Sequence, residues 1–271
     1  MPELPEVETT LRGIEPFLTN QNLSRLQVRN RSLRWPVEHG LESAVANRRI
    51  KYLQRRGKYI LIHFDQGGLI IHLGMSGSMR VLFENEVSGP HDHFDLVTER
   101  GVIIRYRDPR RFGCLLYVDA QVESHDRLID LGVEPLTDDL TGKYLYDQAK
   151  AKRTSVKVLI MNGKIVVGVG NIYASESLFA AGIHPARRCD RVSQLRYENL
   201  AISIKRILHR SIKQGGTTLQ DFVGADGSPG YFEQKLAVYG RKGEACFRCG
   251  GEVRSVVLGQ RSTFYCAVCQ R

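Results

Sequence analysis

The chain has 271 residues, enough for two domains or for one large domain with an appendage. Its 42% hydrophobic and 25% charged content is that of an ordinary folded protein, and no apolar run approaches the ~20 residues that a transmembrane helix needs. The 39 Lys+Arg against 29 Asp+Glu, a net charge of +10, favour nucleic acid or an anionic membrane as partner, although a basic surface with no such partner gives the same sum.

The start, MPELPEVETT, is acidic and carries proline; it has neither the basic opening nor the apolar stretch of a signal peptide, so a cytosolic location is expected. Pro5 suits the first turn of a helix, and Val7, Leu11, Ile14 and Leu18 recur at helical spacing. Pro16 is expected to disturb or end that helix. From Asn22 to about Asp119 the pattern changes to short β-rich runs at 59–64, 69–73, 79–83, 93–97, 102–106 and 114–118, separated by glycine or polar turns, which predicts a sandwich or barrel. Helical signals dominate from near residue 124 to about Gln214. One helix is expected over Asn171–Ala181, with Asn171 as its N-cap and Gly182 and Pro185 beyond its end. Another presents Leu200, Ile204, Ile207, Leu208 and Ser211 on one face and stops at Gly215-Gly216. A glycine-rich connector, Gly215–Gly230, follows. No internal repeat or low-complexity tract is seen.

Four of the six cysteines fall in the last 26 residues, spaced Cys246-x2-Cys249-x16-Cys266-x2-Cys269. Two such knuckles supply the tetrahedral thiolate shell that Zn²⁺ favours, whereas disulfides or a redox pair suit a secreted chain or a thioredoxin-like fold better. Four thiolates leave no open coordination position, so one structural zinc is predicted, and its binding should supply the folding energy of this short segment. Gly259–Tyr265, between the knuckles, has the makings of a hairpin. Arg261 on it is either a DNA contact or a solvated surface charge, and the residues alone favour the latter.

Three motifs in order carry a resemblance: Pro2-Glu-Leu-Pro-Glu-Val-Glu-Thr9, Val167-Gly-Val-Gly-Asn-Ile-Tyr-Ala-Ser-Glu176, and the four-cysteine finger containing Gln260-Arg-Ser-Thr-Phe-Tyr-Cys266. On these the chain closely resembles bacterial formamidopyrimidine-DNA glycosylases over essentially its whole length. The resemblance implies an α+β architecture: an N-terminal β-sandwich (1–123), a helix-two-turn-helix domain with a loop over the damaged base (124–230) and a zinc-finger β-hairpin (231–271). It implies excision of oxidised purines, chiefly 8-oxoguanine and formamidopyrimidines, from damaged double-stranded DNA, followed by β,δ-elimination at the abasic site, with the protein acting as a monomer. Endonuclease VIII, the relative that prefers oxidised pyrimidines, more typically begins Pro-Glu-Gly-Pro-Glu, and Leu4 here favours the purine branch.

Site residues follow from the same motifs. Removal of Met1 would leave Pro2 a free secondary amine, able to attack the sugar C1′ and form an iminium. The resemblance makes Glu3 the proton donor beside it, where the residue type alone reads as a helix-start acid. It makes Lys58 the proton donor of β-elimination, with a plain phosphate contact as the other reading, and Arg261 the arginine of δ-elimination. It assigns DNA contacts to His91, Arg110 and Lys152. Asn171, just ahead of its helix, has a side chain and neighbouring amides suited to a phosphate. Met75, Arg110 and Phe112 match the residues that fill the stack when a base is extruded; Met and Phe are apolar wedges, though core packing would use them equally. His91 and His93 lack a third ligand and do not read as a metal pair. The segment Gly224–Gly230 resembles the loop that covers the lesion.

Overall fold

The computed structural model describes residues 2–84, 86–215 and 236–271. These fall into two compact units, 2–129 and 130–214 with 236–271. The Gly224–Gly230 segment and Met1 lie outside the described residues.

The first unit opens with helix α1 (Leu4–Leu18). Glu3 is its N-cap: its carboxylate faces the Glu6 amide, while Glu6 Oε2 accepts from the Glu3 N–H at 2.8 Å, closing a capping box. Pro5 lies in the first turn, where no backbone donor is missed. Contrary to expectation, Pro16 does not end the helix, which continues to Leu18. A proline in the last turn removes only one of the final hydrogen bonds, and Thr19 N–H still reaches Glu15 O at 2.9 Å.

Strands β1 (Asn22–Val28), β2 (Arg48–Arg56), β3 (Tyr59–Phe64), β4 (Gly68–His72), β5 (Ser78–Leu82), β6 (Asp92–Thr98), β7 (Ile103–Arg107) and β8 (Cys114–Val118) follow, with the short helix α2 (Leu41–Val45) between β1 and β2. Every pairing is antiparallel, in the order β5-β7-β6-β1-β2-β3-β4-β8. Only two residue pairs, Asn22↔Arg49 and Leu23↔Arg48, join β1 to β2, so the sheet divides there into two four-stranded halves. One core fills the space between them. Ile62, Ile71 and Leu115 from one half meet Leu96, Ile104 and Tyr106 from the other, with Val7, Leu11, Ile14 and Leu18 of α1 packed on the same cluster. Each such aliphatic side chain contributes about 1.5–3 kcal/mol on burial. This is the predicted sandwich.

The second unit contains α3 (Gly142–Ala149), α4 (Val156–Ile160), α5 (Asn171–Ala180) and α6 (Gln194–Lys213), then the hairpin β9 (Val253–Leu258) and β10 (Arg261–Cys266). Helix α5 is buried from Ile172 to Phe179, which makes it the unit's central helix, and α6 and β10 pack against it. Its N-cap is Gly170 rather than Asn171. The Asn171 side chain is engaged elsewhere, by Lys157 and Ser262. Helix α6 buries Leu200, Ile204, Leu208 and Ser211, the face expected of it. The chain end is stitched back to the helices. Gln270 Oε1 accepts from Cys266 N–H at 2.9 Å, and its Nε2 donates to Ile183 O at 2.9 Å, while Arg271 N–H donates to Gly182 O at 3.0 Å.

Candidate active site and metal centre

The α1 N-terminus and the Lys58 turn are tied together. Pro2 and Glu3 are buried directly ahead of the helix. Glu8, one turn in, accepts from Arg55 Nε at 2.8 Å, and Arg55 Nη1 reaches over the turn to Gly57 O at 3.1 Å. Gly57 adopts a positive φ of 59° and, with Lys58, forms a two-residue hairpin turn between the paired Arg56 and Tyr59. Lys58 therefore stands at the mouth of β3, one residue ahead of Tyr59. It faces His72, whose pKa is pushed down to about 4 by burial first and then by Lys58 and Arg34. Neutral His72 accepts from Gly74 N–H at Nδ1, 2.8 Å away, which fixes the start of the Met75 loop.

A second knot, absent from the sequence reading, is Asp108. It is fully buried, and its two oxygens accept four hydrogen bonds. Oδ1 takes Ser76 Oγ at 2.6 Å and Arg110 N at 3.2 Å; Oδ2 takes Tyr106 OH at 3.0 Å and Gly113 N at 2.9 Å. His93, also buried, lies with Nε2 2.7 Å from Asp108 O, which makes it a core residue. Asp108 thus joins the 73–77 loop to the 108–113 loop. The loops run so close that a Cβ on Gly74 would come within 2.4 Å of Gly113 N, and one on Gly113 within 1.8 Å of Tyr106 OH. Arg111 takes a positive φ of 56°, and on either side of it Arg110 and Phe112 face outward, the guanidinium 4.7 Å from the ring centroid. Met75 and Phe112 are 39% and 42% exposed, which decides against a core role for either. The structure therefore brings Met75, Arg110 and Phe112 together on one rigid edge. His91 is half-buried beside them, its carbonyl accepting from Asp108 N–H at 3.0 Å. Asp108-Pro109 reads as a turn, and that was the one signal in the sequence.

In the second unit the four cysteine sulfurs all lie within 4.8 Å of one another. Cys246–Cys269 and Cys249–Cys266 sulfurs are 3.9 and 3.5 Å apart. A disulfide needs about 2.05 Å, whereas a tetrahedral zinc with ~2.3 Å Zn–S bonds sets its sulfurs about 3.8 Å apart. The shell fits zinc, and the protein carries one structural Zn²⁺ held by Cys246, Cys249, Cys266 and Cys269. Among the described residues no other group of three or more metal-ligating side chains forms. Gly259 and Gln260 both have positive φ, 54° and 61°, and Leu258 pairs with Arg261, a two-residue turn of the primed type. That turn puts exposed Arg261 first on β10, at the hairpin tip.

Asn171 opens α5, its Nδ2 donating to Ser262 O at 2.9 Å. Lys152 is half-buried, with Nζ donating to Gln148 O at 2.9 Å; Cys189 Sγ, buried below, meets Lys152 O at 3.1 Å. Burial raises the pKa of Cys189 and pushes that of Cys114 up to about 12, so neither is a ready thiolate.

The chain thus combines a basic net charge, a sandwich with Met75, Arg110 and Phe112 exposed on one edge, and a helical unit that carries a four-cysteine hairpin with Arg261 at its tip. Residues 1–115 match the formamidopyrimidine-DNA glycosylase N-terminal domain, 131–223 the H2TH domain of that enzyme, and 243–271 the zinc finger found in FPG and IleRS. The chain is 52% identical to the formamidopyrimidine-DNA glycosylase of Stutzerimonas stutzeri over 271 residues, covering all of both chains, and 49% identical to that of Hydrogenovibrio crunogenus, covering 97% of it. Among solved structures, MutM (Fpg) from Thermus thermophilus matches with a TM-score of 0.87 at 34% identity, covering 99% of this chain and 98% of that one. A Lactococcus lactis Fpg bound to abasic-site DNA matches with a TM-score of 0.89 at 30% identity, covering 99% of each. The chain belongs to the formamidopyrimidine-DNA glycosylase family.

Proposed function

We infer that this protein is a base-excision repair enzyme that removes oxidised purines, 8-oxoguanine and formamidopyrimidines, from duplex DNA and then cuts the backbone at the abasic site. The observation that carries the mechanism is the tie between the α1 N-terminus and the Lys58 turn through Glu8 and Arg55. Once Met1 is removed, the Pro2 nitrogen attacks C1′, the N-glycosidic bond breaks, and its electron pair leaves with the base, which takes a proton. The opened sugar becomes an iminium on Pro2. An α-amino group has a pKa of about 7.7–8.0, and the positive end of α1 further disfavours its protonated form. Glu3 supplies the proton for ring opening, Lys58 serves β-elimination, and Arg261 holds the phosphate that departs in δ-elimination, bidentately.

His91, Arg110, Lys152 and Asn171 contact the DNA backbone and flanking bases, and Met75, Arg110 and Phe112 fill the stack left by the extruded nucleotide. Residues 1–123 form the catalytic segment, 124–230 the helical DNA-binding segment and 231–271 the finger. The protein works as a monomer in the bacterial cytosol. A second reading, excision of oxidised pyrimidines, is favoured by one finding: a Lactococcus lactis Fpg, 30% identical, has been solved with an oxidised pyrimidine containing DNA.

Borohydride trapping tests both points. Duplexes carrying 8-oxoguanine should cross-link efficiently, with the DNA mapped by mass spectrometry to the peptide beginning at Pro2, and thymine glycol should react more slowly. A chain that keeps Met1 should bind the lesion without cross-linking. A cross-link at Lys58, or normal cutting by the blocked chain, overturns the Pro2 mechanism.

A further inference from the structure

Lys157, on α4, is fully buried. Its Nζ lies 2.5 Å from Asn171 Oδ1 and 2.6 Å from Thr263 Oγ1, with Ser262 O at 3.5 Å. Taking an ammonium out of water costs several kcal/mol, so a lysine here calls for a reason beyond filling space.

Hydrogen-bond direction supplies one. An ammonium only donates, so the Asn171 carbonyl oxygen must face Lys157. Its Nδ2 is then turned the other way, where one hydrogen goes to Ser262 O at 2.9 Å and the other is directed elsewhere. The Thr263 hydroxyl, occupied as an acceptor by Lys157, sends its own proton to Arg261 O at 3.1 Å. One cation therefore orients the carboxamide at the start of α5 and, through a single hydroxyl, the backbone of the residue at the hairpin tip. Both bonds of the lysine are non-local: one joins two helices, and the other spans 106 residues and adds to what the hairpin turn already fixes.

We propose that Lys157 is a positioning residue for phosphate binding, holding Asn171 and Arg261 in one hydrogen-bonded frame. This rests on the reading that Asn171 and Arg261 contact DNA. The zinc shell fixes the base of the hairpin, and Lys157 fixes its tip relative to α5.

The test uses the full-length, zinc-loaded protein with Lys157→Met, Thr263→Val, Asn171→Ala and Arg261→Ala. Zinc content, Kd for an abasic-analogue duplex and the ratio of δ- to β-elimination products are measured. Lys157→Met should keep its zinc, weaken binding about tenfold, as expected for loss of one charge-assisted hydrogen bond, and shift products toward β-elimination. In the Asn171→Ala background Lys157→Met should weaken binding less than about twofold further, because both act through one contact. Thr263→Val should lower the δ fraction while changing Kd less than about threefold.

A zinc-loaded Lys157→Met with unchanged Kd and product ratio, or additive losses in the double variant, overturns the proposal. If Lys157→Met does not fold, Thr263→Val decides it, and an unchanged δ fraction overturns it. If Asn171→Ala and Arg261→Ala themselves bind and cut normally, the DNA-contact reading falls. If they lose function while Lys157→Met does not, only the positioning role falls.

Discussion

Replacing Asp108 should separate folding from base insertion. In Asp108→Ala the donors Tyr106 OH and Gly113 N–H, both buried, lose their acceptor, while Ser76 and the Arg110 amide lie nearer solvent and find water. Each stranded buried donor costs about 1–3 kcal/mol, so the loss should be about 2–6 kcal/mol. That is a large part of the 5–15 kcal/mol typical of a domain. Asp108→Asn should cost far less. Its carboxamide can turn the oxygen toward Tyr106 and Gly113 and its NH₂ toward Ser76, whose hydroxyl rotates to accept, leaving only the Arg110 amide opposed, for about 1–2 kcal/mol. Urea unfolding followed by near-UV dichroism measures both. Fluorescence of 2-aminopurine beside the lesion reports whether Met75 and Phe112 enter the stack as proposed, and on that proposal its response should weaken in Asp108→Ala even where the protein is folded. Equal losses for the two variants, or a loss under about 1 kcal/mol for alanine, would refute the account of Asp108 as the knot between the loops.

Other outcomes follow from the same geometry. Chelating the zinc, or Cys249→Ser, should unfold the hairpin and abolish DNA binding while hydrogen exchange within 2–129 stays native; a fully active zinc-free protein would sink the metal assignment. His72 favours its neutral form in the fold, so between pH 6.5 and about 4 the unfolded chain binds more protons and stability falls as pH drops through that window. His72→Asn keeps an acceptor for Gly74 without the titration, so the gap between it and the parent should change by about 3 kcal/mol from pH 7 to pH 4 in denaturant titrations. Binding of DNA should weaken with salt at a log–log slope of roughly −5 if about six phosphates are neutralised, and Lys152→Ala should make the slope shallower by about one; an unchanged slope removes Lys152 from the contacts.

The strands legible in the sequence are those buried on both faces, such as β3 and β4, where apolar side chains run almost unbroken. Strands β1 and β2 escaped notice because each buries only two side chains, three residues apart, among arginines and other polar groups, and that spacing follows no two-residue period. Their strand character comes from their partners. The short helices α3 and α4 likewise lack a long enough apolar stripe to announce themselves. At the site, the cysteines were legible because metal geometry is written in spacing. Asp108 and Lys157 were not, because polar residues read as surface until partners far along the chain, Ser76 for one and Thr263 for the other, draw them inside. Asn171 lies one position past the cap, its side chain engaged by Lys157 and Ser262 instead of by the helix end.

Gln270 stands next to the last zinc ligand, yet its amide spans to Ile183, beyond the end of α5. Metal affinity in this protein is therefore shared with the helices: any free energy gained by docking the chain end is available only to the shell that is correctly closed. A peptide cut out at residue 243 would still hold a zinc ion, but more loosely, because the bonds from Gln270 to Ile183 and from Arg271 to Gly182 would be gone. The ion, in turn, reports on the integrity of a helix it never touches.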